Sequence, residues 1–149
     1  MRTVIRNRLA NDSTLQTLLT GGVYDAATLP EGKLSLSFLE EAGKTDGYGR
    51  LLPCAALIWR EALPDGAGFR EEATTLHIWL YEYDGNANLI AASKRIKELL
   101  HRWTAGAAGV TTNESLMEIR FIGGIEEFID PDLNANGSEM RFRVKYIRK

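Results

Sequence analysis

The residue spacing that comes nearest to a metal site lies towards the carboxyl end of the chain. The segment Asp132-Leu-Asn134-Ala-Asn136-Gly137 places side-chain oxygens at alternate positions before a glycine, as in the first half of a calcium-binding EF-hand loop. The pattern then fails, because the twelfth position, which needs a bidentate glutamate, is Arg143. Asparagine and glycine are also ordinary turn residues. The sequence therefore predicts a turn here, with no bound metal and no other cofactor.

Residue types that support catalysis are present, but they form no recognisable set. His77 falls within a predicted strand, and His101 falls in the last turn of a predicted helix, where the helix dipole favours a protonated imidazole. Cys54 belongs to an apolar run typical of a buried strand. The sequence has no phosphate-binding glycine motif in the required context and no Gly-x-Ser-x-Gly elbow. We predict that the protein is not an enzyme.

A row of basic residues in the last predicted strand is the third chemical pattern. Arg141, Arg143 and Lys145 would lie on one face about 7 Å apart, which is close to the spacing of phosphates. No aromatic residue interleaves with them on that face, so stacking on nucleic-acid bases is not indicated. We expect carboxylates, rather than phosphates, to be the partners of this row.

The composition bounds the class of protein. The chain has 149 residues, 44% of them hydrophobic, with a formal net charge of −2 and one cysteine. These values predict a single domain over 1–149, without an intrachain disulfide or a cysteine-based zinc site. No apolar stretch approaches the roughly 18 residues of a membrane span, and charges interrupt the amino-terminal segment where a signal peptide would be apolar. We expect no membrane partner, and the sign of the charge argues against a general DNA-binding protein.

The near-neutral total hides an uneven distribution of charge. Residues 25–84 sum to −6, residues 86–103 to +3, residues 114–139 to −6, and the last ten residues to +5. Two interpretations remain open at this point. Opposite blocks could pair between neighbouring elements of one chain, or they could meet across copies in a ring or stack.

Hydrophobic periodicity predicts two helical regions. Apolar residues three and four apart predict an amino-terminal helix with a break at Asn11-Asp12-Ser13, where Asp12 or Ser13 would cap the second piece. The strongest helix signal covers about 86–103, with one apolar stripe and basic residues mainly on the opposite arc.

Four segments are predicted to be strands, at 54–62, 74–83, 115–122 and 139–148, and a weak alternation predicts a short strand at 34–39. In segment 74–83 both faces are apolar, with Trp79 and Tyr81 on one of them. We expect a helix to cover one face and something else, such as a second subunit, to cover the other. The predicted class is α+β, with an antiparallel or mixed sheet of about four strands packed against the amino-terminal helix and the long central helix.

The predicted loop or arm at about 123–137 holds more apolar residues than a surface loop requires: Ile125, Phe128, Ile129 and Leu133. Long loops inside compact domains usually have a function. This one could fold back as a lid over its own core, or it could be an arm that docks on a neighbouring chain.

The order of these features resembles that of tail-terminator and tail-completion proteins of tailed bacteriophages and related phage-like particles. The resemblance rests on soft patterns that span most of the chain. They are the amino-terminal helix with Leu9, Asp12, Leu15 and Leu18-Leu19, then Gly22-Val-Tyr24-Asp25 and Leu29-Pro30, an aromatic strand ending at Tyr83-Asp84-Gly85, the helix 86–103, and an arginine-rich final strand.

The resemblance implies a structural subunit, without enzymatic activity, that forms a ring, commonly a hexamer, or stays monomeric until assembly. Such a ring caps the tail tube at its head-proximal end, stops tube growth and joins the tail to the head–tail connector protein. Its partners would be itself, the tail tube protein, the connector, and DNA passing through the lumen without specific binding. It would be assembled in the host cytoplasm and then be part of the virion.

Interface candidates for this role are Ile125, Phe128, Ile129, Leu133, Trp79, Tyr81, Arg141, Arg143 and Lys145, and the lumen candidates are Glu126 and Glu127. The alternatives are another head–tail connector or neck protein, and a small-ligand-binding α+β domain unrelated to phages.

Overall fold

A computed structural model describes residues 1–64, 71–104 and 114–149 of the chain. The α-helices in these ranges are α1 (Arg2–Ala10), α2 (Ser13–Leu18), α3 (Leu36–Glu41) and α4 (Ala87–Leu100). The strands are β1 (Gly22–Asp25), β2 (Cys54–Trp59), β3 (Leu63–Pro64), β4 (Glu71–Glu82), β5 (Glu114–Asp130) and β6 (Ala135–Arg148). Two short 3-10 turns, Ala26–Thr28 and Pro30–Gly32, follow β1.

The strands form one mixed sheet in the order β1-β2-β4-β6-β5, and the short β3 pairs with β4 beside this path. The β1–β2 pair is parallel, and the other pairs are antiparallel. The predicted α+β class is confirmed. The sheet is larger than the predicted four strands, because β1 and β3 are too short to leave a periodic signal in the sequence.

Helices α1, α2 and α4 pack on one face of the sheet and enclose the larger hydrophobic core. Ile5 and Leu9 of α1 and Leu89 and Ile96 of α4 belong to the same buried cluster as Phe142 of β6. The break between α1 and α2 is where the sequence predicts it, and the Asp12 carboxylate accepts a hydrogen bond from the backbone N–H of Leu15. This bond satisfies one of the free N–H groups at the start of α2.

A second buried cluster covers part of the opposite face of the sheet. Leu29, Leu34, Leu39 and Leu51, from the segment between β1 and β2, pack together with Tyr81 of β4. The sequence predicts cover on this face and offers a second subunit as one source. In the structure, the chain's own residues 26–51 supply that cover over Tyr81.

The prediction of a strand at 34–39 is wrong, because residues 36–39 lie in helix α3. The Ser35 hydroxyl accepts a hydrogen bond from the backbone N–H of Phe38, which caps the helix. Ser35 is therefore the N-cap of a helix, and the alternation of polar and apolar residues at 34–39 does not mark a strand.

The long loop predicted at 123–137 is also wrong. Strands β5 and β6 continue through most of this range as a β-hairpin, and the connecting turn occupies only residues 131–134. Three register shifts interrupt the ladder, between Leu116 and Glu118, Phe121 and Gly123, and Ile125 and Phe128. The pair Gly123-Gly124, which resembles a loop signal, lies at one of these irregularities, where Gly123 has a φ of +127°.

Candidate interaction surfaces

The turn of the hairpin accounts for the EF-hand-like spacing. Oδ1 of Asp130 accepts hydrogen bonds from the backbone N–H groups of Asp132, at 2.9 Å, and Leu133, at 3.2 Å. Asn134 adopts a left-handed conformation with a φ of +49°. The predicted turn is confirmed, and the described residues contain no group of three or more His, Cys, Asp and Glu side chains placed to hold a metal ion.

The two histidines and the cysteine have structural roles in the fold. Nδ1 of His101 accepts a hydrogen bond of 3.1 Å from the backbone N–H of Phe121, which joins the end of α4 to β5. Burial raises the pKa of the Cys54 thiol to about 12, so the side chain is a buried apolar group rather than a nucleophile. Burial also raises the pKa of Tyr81.

A buried carboxylate, Glu139, organises the centre of the sheet face opposite the helices. Its side chain is only 3% exposed. Nδ1 of His77 lies 3.1 Å from its Oε1, and Nε of Arg141 donates to the same oxygen. A buried carboxylate needs such partners. Sequence reasoning missed Glu139, although its position two residues before Arg141 in a strand places both side chains on one face.

Arg141 and Lys145 of the basic row in β6 each pair with a carboxylate of their own chain. Arg141 contacts Glu139, and Nζ of Lys145 lies 3.4 Å from Oε2 of Glu71. Arg143 is exposed and lies opposite Arg120 of β5 in the strand register. The Lys145–Glu71 contact and the 3.1 Å contact between Nη2 of Arg148 and Oε2 of Glu72 confirm pairing between neighbouring strands as one use of the opposite charge blocks.

Trp79, Tyr81 and Phe128, which the sequence proposes as interface residues, lie together within one chain. The ring of Phe128 makes edge-on contacts with Trp79, at a centroid distance of 5.2 Å, and with Tyr81, at 6.1 Å. The ring also covers Gly137, where an added Cβ would lie 2.4 Å from it. Leu133 is buried in the same cluster. The side chain of Phe128 therefore packs across the face of its own sheet, where the ring contacts β6 and β4.

The remaining apolar residues of the hairpin face outward. Ile125 is 45% exposed and Ile129 is 78% exposed. Glu126 and Glu127 are also exposed, and Glu127 accepts a hydrogen bond from the side chain of Asn86 at the start of α4. Apolar side chains left open beside charged ones are typical of surfaces that bind another protein.

A groove of about 950 Å³ runs between α4 and the hairpin. Its floor includes Leu89, Phe121 and Met140, and its walls include Ile90 and Ile125. Lys94 and Lys97 line it from the helix, and Glu126 and Glu127 line it from β5, so its two rims carry opposite charges. Nζ of Lys97 lies 4.4 Å from the ring centroid of Phe121. This groove is a candidate binding surface for a partner.

The buried hydroxyl of Ser138 lies in the wall of this groove. Its Oγ has no hydrogen-bond partner among the described residues, and the same is true of Oε2 of Glu82. The other oxygen of Glu82 accepts a 2.8 Å hydrogen bond from Nδ2 of Asn88.

None of the described helices is both long and apolar enough to cross a membrane.

No protein-family model matches the sequence, and no curated protein shows significant similarity to it. Among solved structures, the fold is similar to that of a chain in a structure described as "Virion of native gene transfer agent (GTA) particle". The TM-score is 0.69 at 16% sequence identity, and the alignment covers 100% of this chain and 95% of that chain. At this identity the similarity establishes a shared fold, over the whole of this chain and 95% of that chain.

Proposed function

We propose that this protein is a structural subunit of a phage-like virion, and that it forms the ring that terminates the tail tube. In this role the ring caps the tube, stops its polymerisation and provides the surface on which the head–tail connector docks. The subunit binds copies of itself and neighbouring virion proteins, and it performs no chemical reaction.

One observation carries the proposal. The whole chain shares its fold with a chain of a gene transfer agent particle, and the alignment covers 95% of that chain. The amino-terminal helix, the aromatic strand, the helix near 86–103 and the arginine-rich final strand, on which the resemblance to tail terminators rests, occur in the structure in the same order. Fold alone does not assign function, so the tail-terminator role rests on the two similarities together.

The surfaces of the chain are compatible with assembly. Apolar surface lies next to charged rims in the groove beside α4. The exposed side chains of Ile90, Ile125 and Ile129 also offer apolar surface. The prediction that Glu126 and Glu127 face a lumen that carries DNA stays a prediction. Both residues also line the groove, so a partner bound there would cover them.

Electron microscopy with tail tubes tests the proposal. The full chain is added to tubes assembled from the tube protein of the same particle, and the tube ends and tube lengths are compared with those of tubes alone. We expect rings at one end of each tube and an arrest of further growth when more tube protein is supplied. In a parallel experiment with purified connector, rings that bind the connector but leave the tubes uncapped would instead support the neck-protein alternative.

A small-ligand-binding domain is the rival from a different functional class, and the volume of the groove is the feature that favours it. A thermal-shift screen of small molecules distinguishes the two. A ligand that raises the melting temperature, combined with tubes that are neither capped nor shortened, would overturn the assembly role.

A further inference from the structure

The groove lies at one end of the sheet, and an exposed leucine lies at the other. Ser138 and Met140 of the groove pair with Leu80 and Ile78 of β4, whereas Leu63 pairs with Ala73 near the start of β4. Five to seven strand residues separate these positions, which is about 17–23 Å. Leu63 therefore cannot reach the groove of its own chain.

Leu63 is 64% exposed, and it follows two exposed residues of opposite charge, Arg60 and Glu61. The groove presents the complementary arrangement. Ile90, 64% exposed, stands on its wall, with Lys94 on the helix rim and Glu126 on the hairpin rim. Each surface thus combines an open apolar side chain with one charge of each sign.

We infer that the Leu63 end of one copy docks into the groove of the next copy, head to tail. Leu63 enters between Ile90 and Ile125, Glu61 faces Lys94, and Arg60 faces Glu126. The inference rests on the proposed function, which it deepens by naming the contact between subunits of the ring.

The placement of the two surfaces at opposite ends of the sheet supports this arrangement. A contact between two different patches is heterologous, and repetition of such a contact closes into a ring when the rotation between copies permits it. The two rims of opposite charge fix the direction in which the neighbour enters, because a reversed entry would place Glu61 beside Glu126 and Arg60 beside Lys94.

Cross-linking between singly substituted chains tests the contact directly. Leu63→Cys and Ile90→Cys variants of the full chain are prepared, and the buried Cys54 serves as an unreactive background, since its side chain is 0% exposed. Under conditions that give rings on tube ends, a short bismaleimide should link the two variants when they are mixed and should give no dimer with either variant alone.

The outcomes separate this contact from the proposed function. Rings without a cross-link in the mixture would overturn the contact and leave the tail-terminator role standing. A cross-link in the mixture without capped tubes would support the contact and overturn the role. Dimers from either variant alone would indicate a two-fold arrangement and overturn the head-to-tail contact, and the absence of any association would overturn both.

A charge-swap experiment provides a second test. Glu61→Lys and Lys94→Glu should each raise the protein concentration needed for ring formation by about fivefold to tenfold, and the double variant should recover most of the loss. Lys33→Glu makes the same charge change as Lys94→Glu at an exposed site elsewhere. It is the matched control for Lys94→Glu and should have little effect on the concentration needed for ring formation. A double variant no better than the two single variants would overturn the pairing of Glu61 with Lys94.

Discussion

Replacing Gly124 by alanine tests whether the hairpin packs as closely as its backbone indicates. Gly124 lies opposite Met140 in the β5–β6 ladder. A Cβ added at Gly124 would lie 1.9 Å from the carbonyl oxygen of Glu139, 2.9 Å from its carbonyl carbon and 3.1 Å from Cα of Met140. All three atoms belong to the backbone of an interior strand, so no side-chain rotation relieves the clash.

The expected loss of stability follows from the separation of β5 and β6 that the added Cβ requires. Separating the strands at this point weakens about two ladder hydrogen bonds, each worth about 1 kcal/mol net, and local overpacking costs about 1–3 kcal/mol. The lower entropy of an unfolded chain with alanine returns about 0.4–1 kcal/mol. We expect Gly124→Ala to lower the free energy of unfolding by about 3 kcal/mol.

Thermal and urea unfolding followed by circular dichroism measure this loss. The entropy of unfolding for 149 residues is about 0.3 kcal/mol/K, so 3 kcal/mol corresponds to a melting temperature about 10 °C lower. Gly47→Ala is the control, because no heavy atom lies within 4 Å of its added Cβ, and it should change stability by less than about 0.5 kcal/mol. A Gly124→Ala protein as stable as this control would refute the close approach of β5 to β6.

Three further predictions concern packing and charge. Phe128→Ala should lower the free energy of unfolding in urea by about 2 kcal/mol or more, whereas Ile129→Ala should change it by less than about 0.5 kcal/mol; equal effects would contradict the inward packing of Phe128. Ser138→Ala should leave stability unchanged or raise it by up to about 1 kcal/mol, because the hydroxyl is buried without a partner among the described residues; a clear loss would show that the hydroxyl is bonded. The hydrogen bond from Arg95 lowers the pKa of Asp12, so the stability that this charge contributes is fully present above the unfolded-state pKa of about 4 and is lost as the pH falls from there through the lower pKa of the folded state. Asp12→Asn should therefore be less stable than the parent at pH 6, by about 1 kcal/mol, and the difference should shrink as the pH falls below about 4 in urea titrations; a constant difference would argue against a role for the charge.

Local signals in the sequence predict the elements whose structure depends on local interactions. The end of α1 and the capping of α2 follow from Asp12 and its spacing to Leu15, and α4 follows from a long apolar stripe. Gly123-Gly124 is different. The reason for glycine at position 124 is a backbone atom of Glu139, fifteen residues later in the chain, so a local pattern cannot distinguish this close approach from a loop.

In the candidate site, too, the sequence predicts some features and leaves others to residues that are distant in the chain. The sequence identifies the apolar residues of the hairpin, but it does not separate Phe128, which packs on Trp79, from Ile129, which faces outward. That difference depends on a register shift between Ile125 and Phe128. The groove was not predicted, because its two walls come from elements that are brought together only by the completed sheet.

The position of β6 has a consequence for synthesis of the protein. It is the most carboxyl-terminal of the described strands, yet it lies between β4 and β5 in the sheet. While the ribosome adds the 66 residues from the end of β4 to the end of β6, which takes about 3–13 s at typical rates, one edge of β4 has no strand to pair with. Until β6 is synthesised, β4 and β5 each expose a strand edge that β6 later covers, so the nascent chain is open to aggregation over this interval.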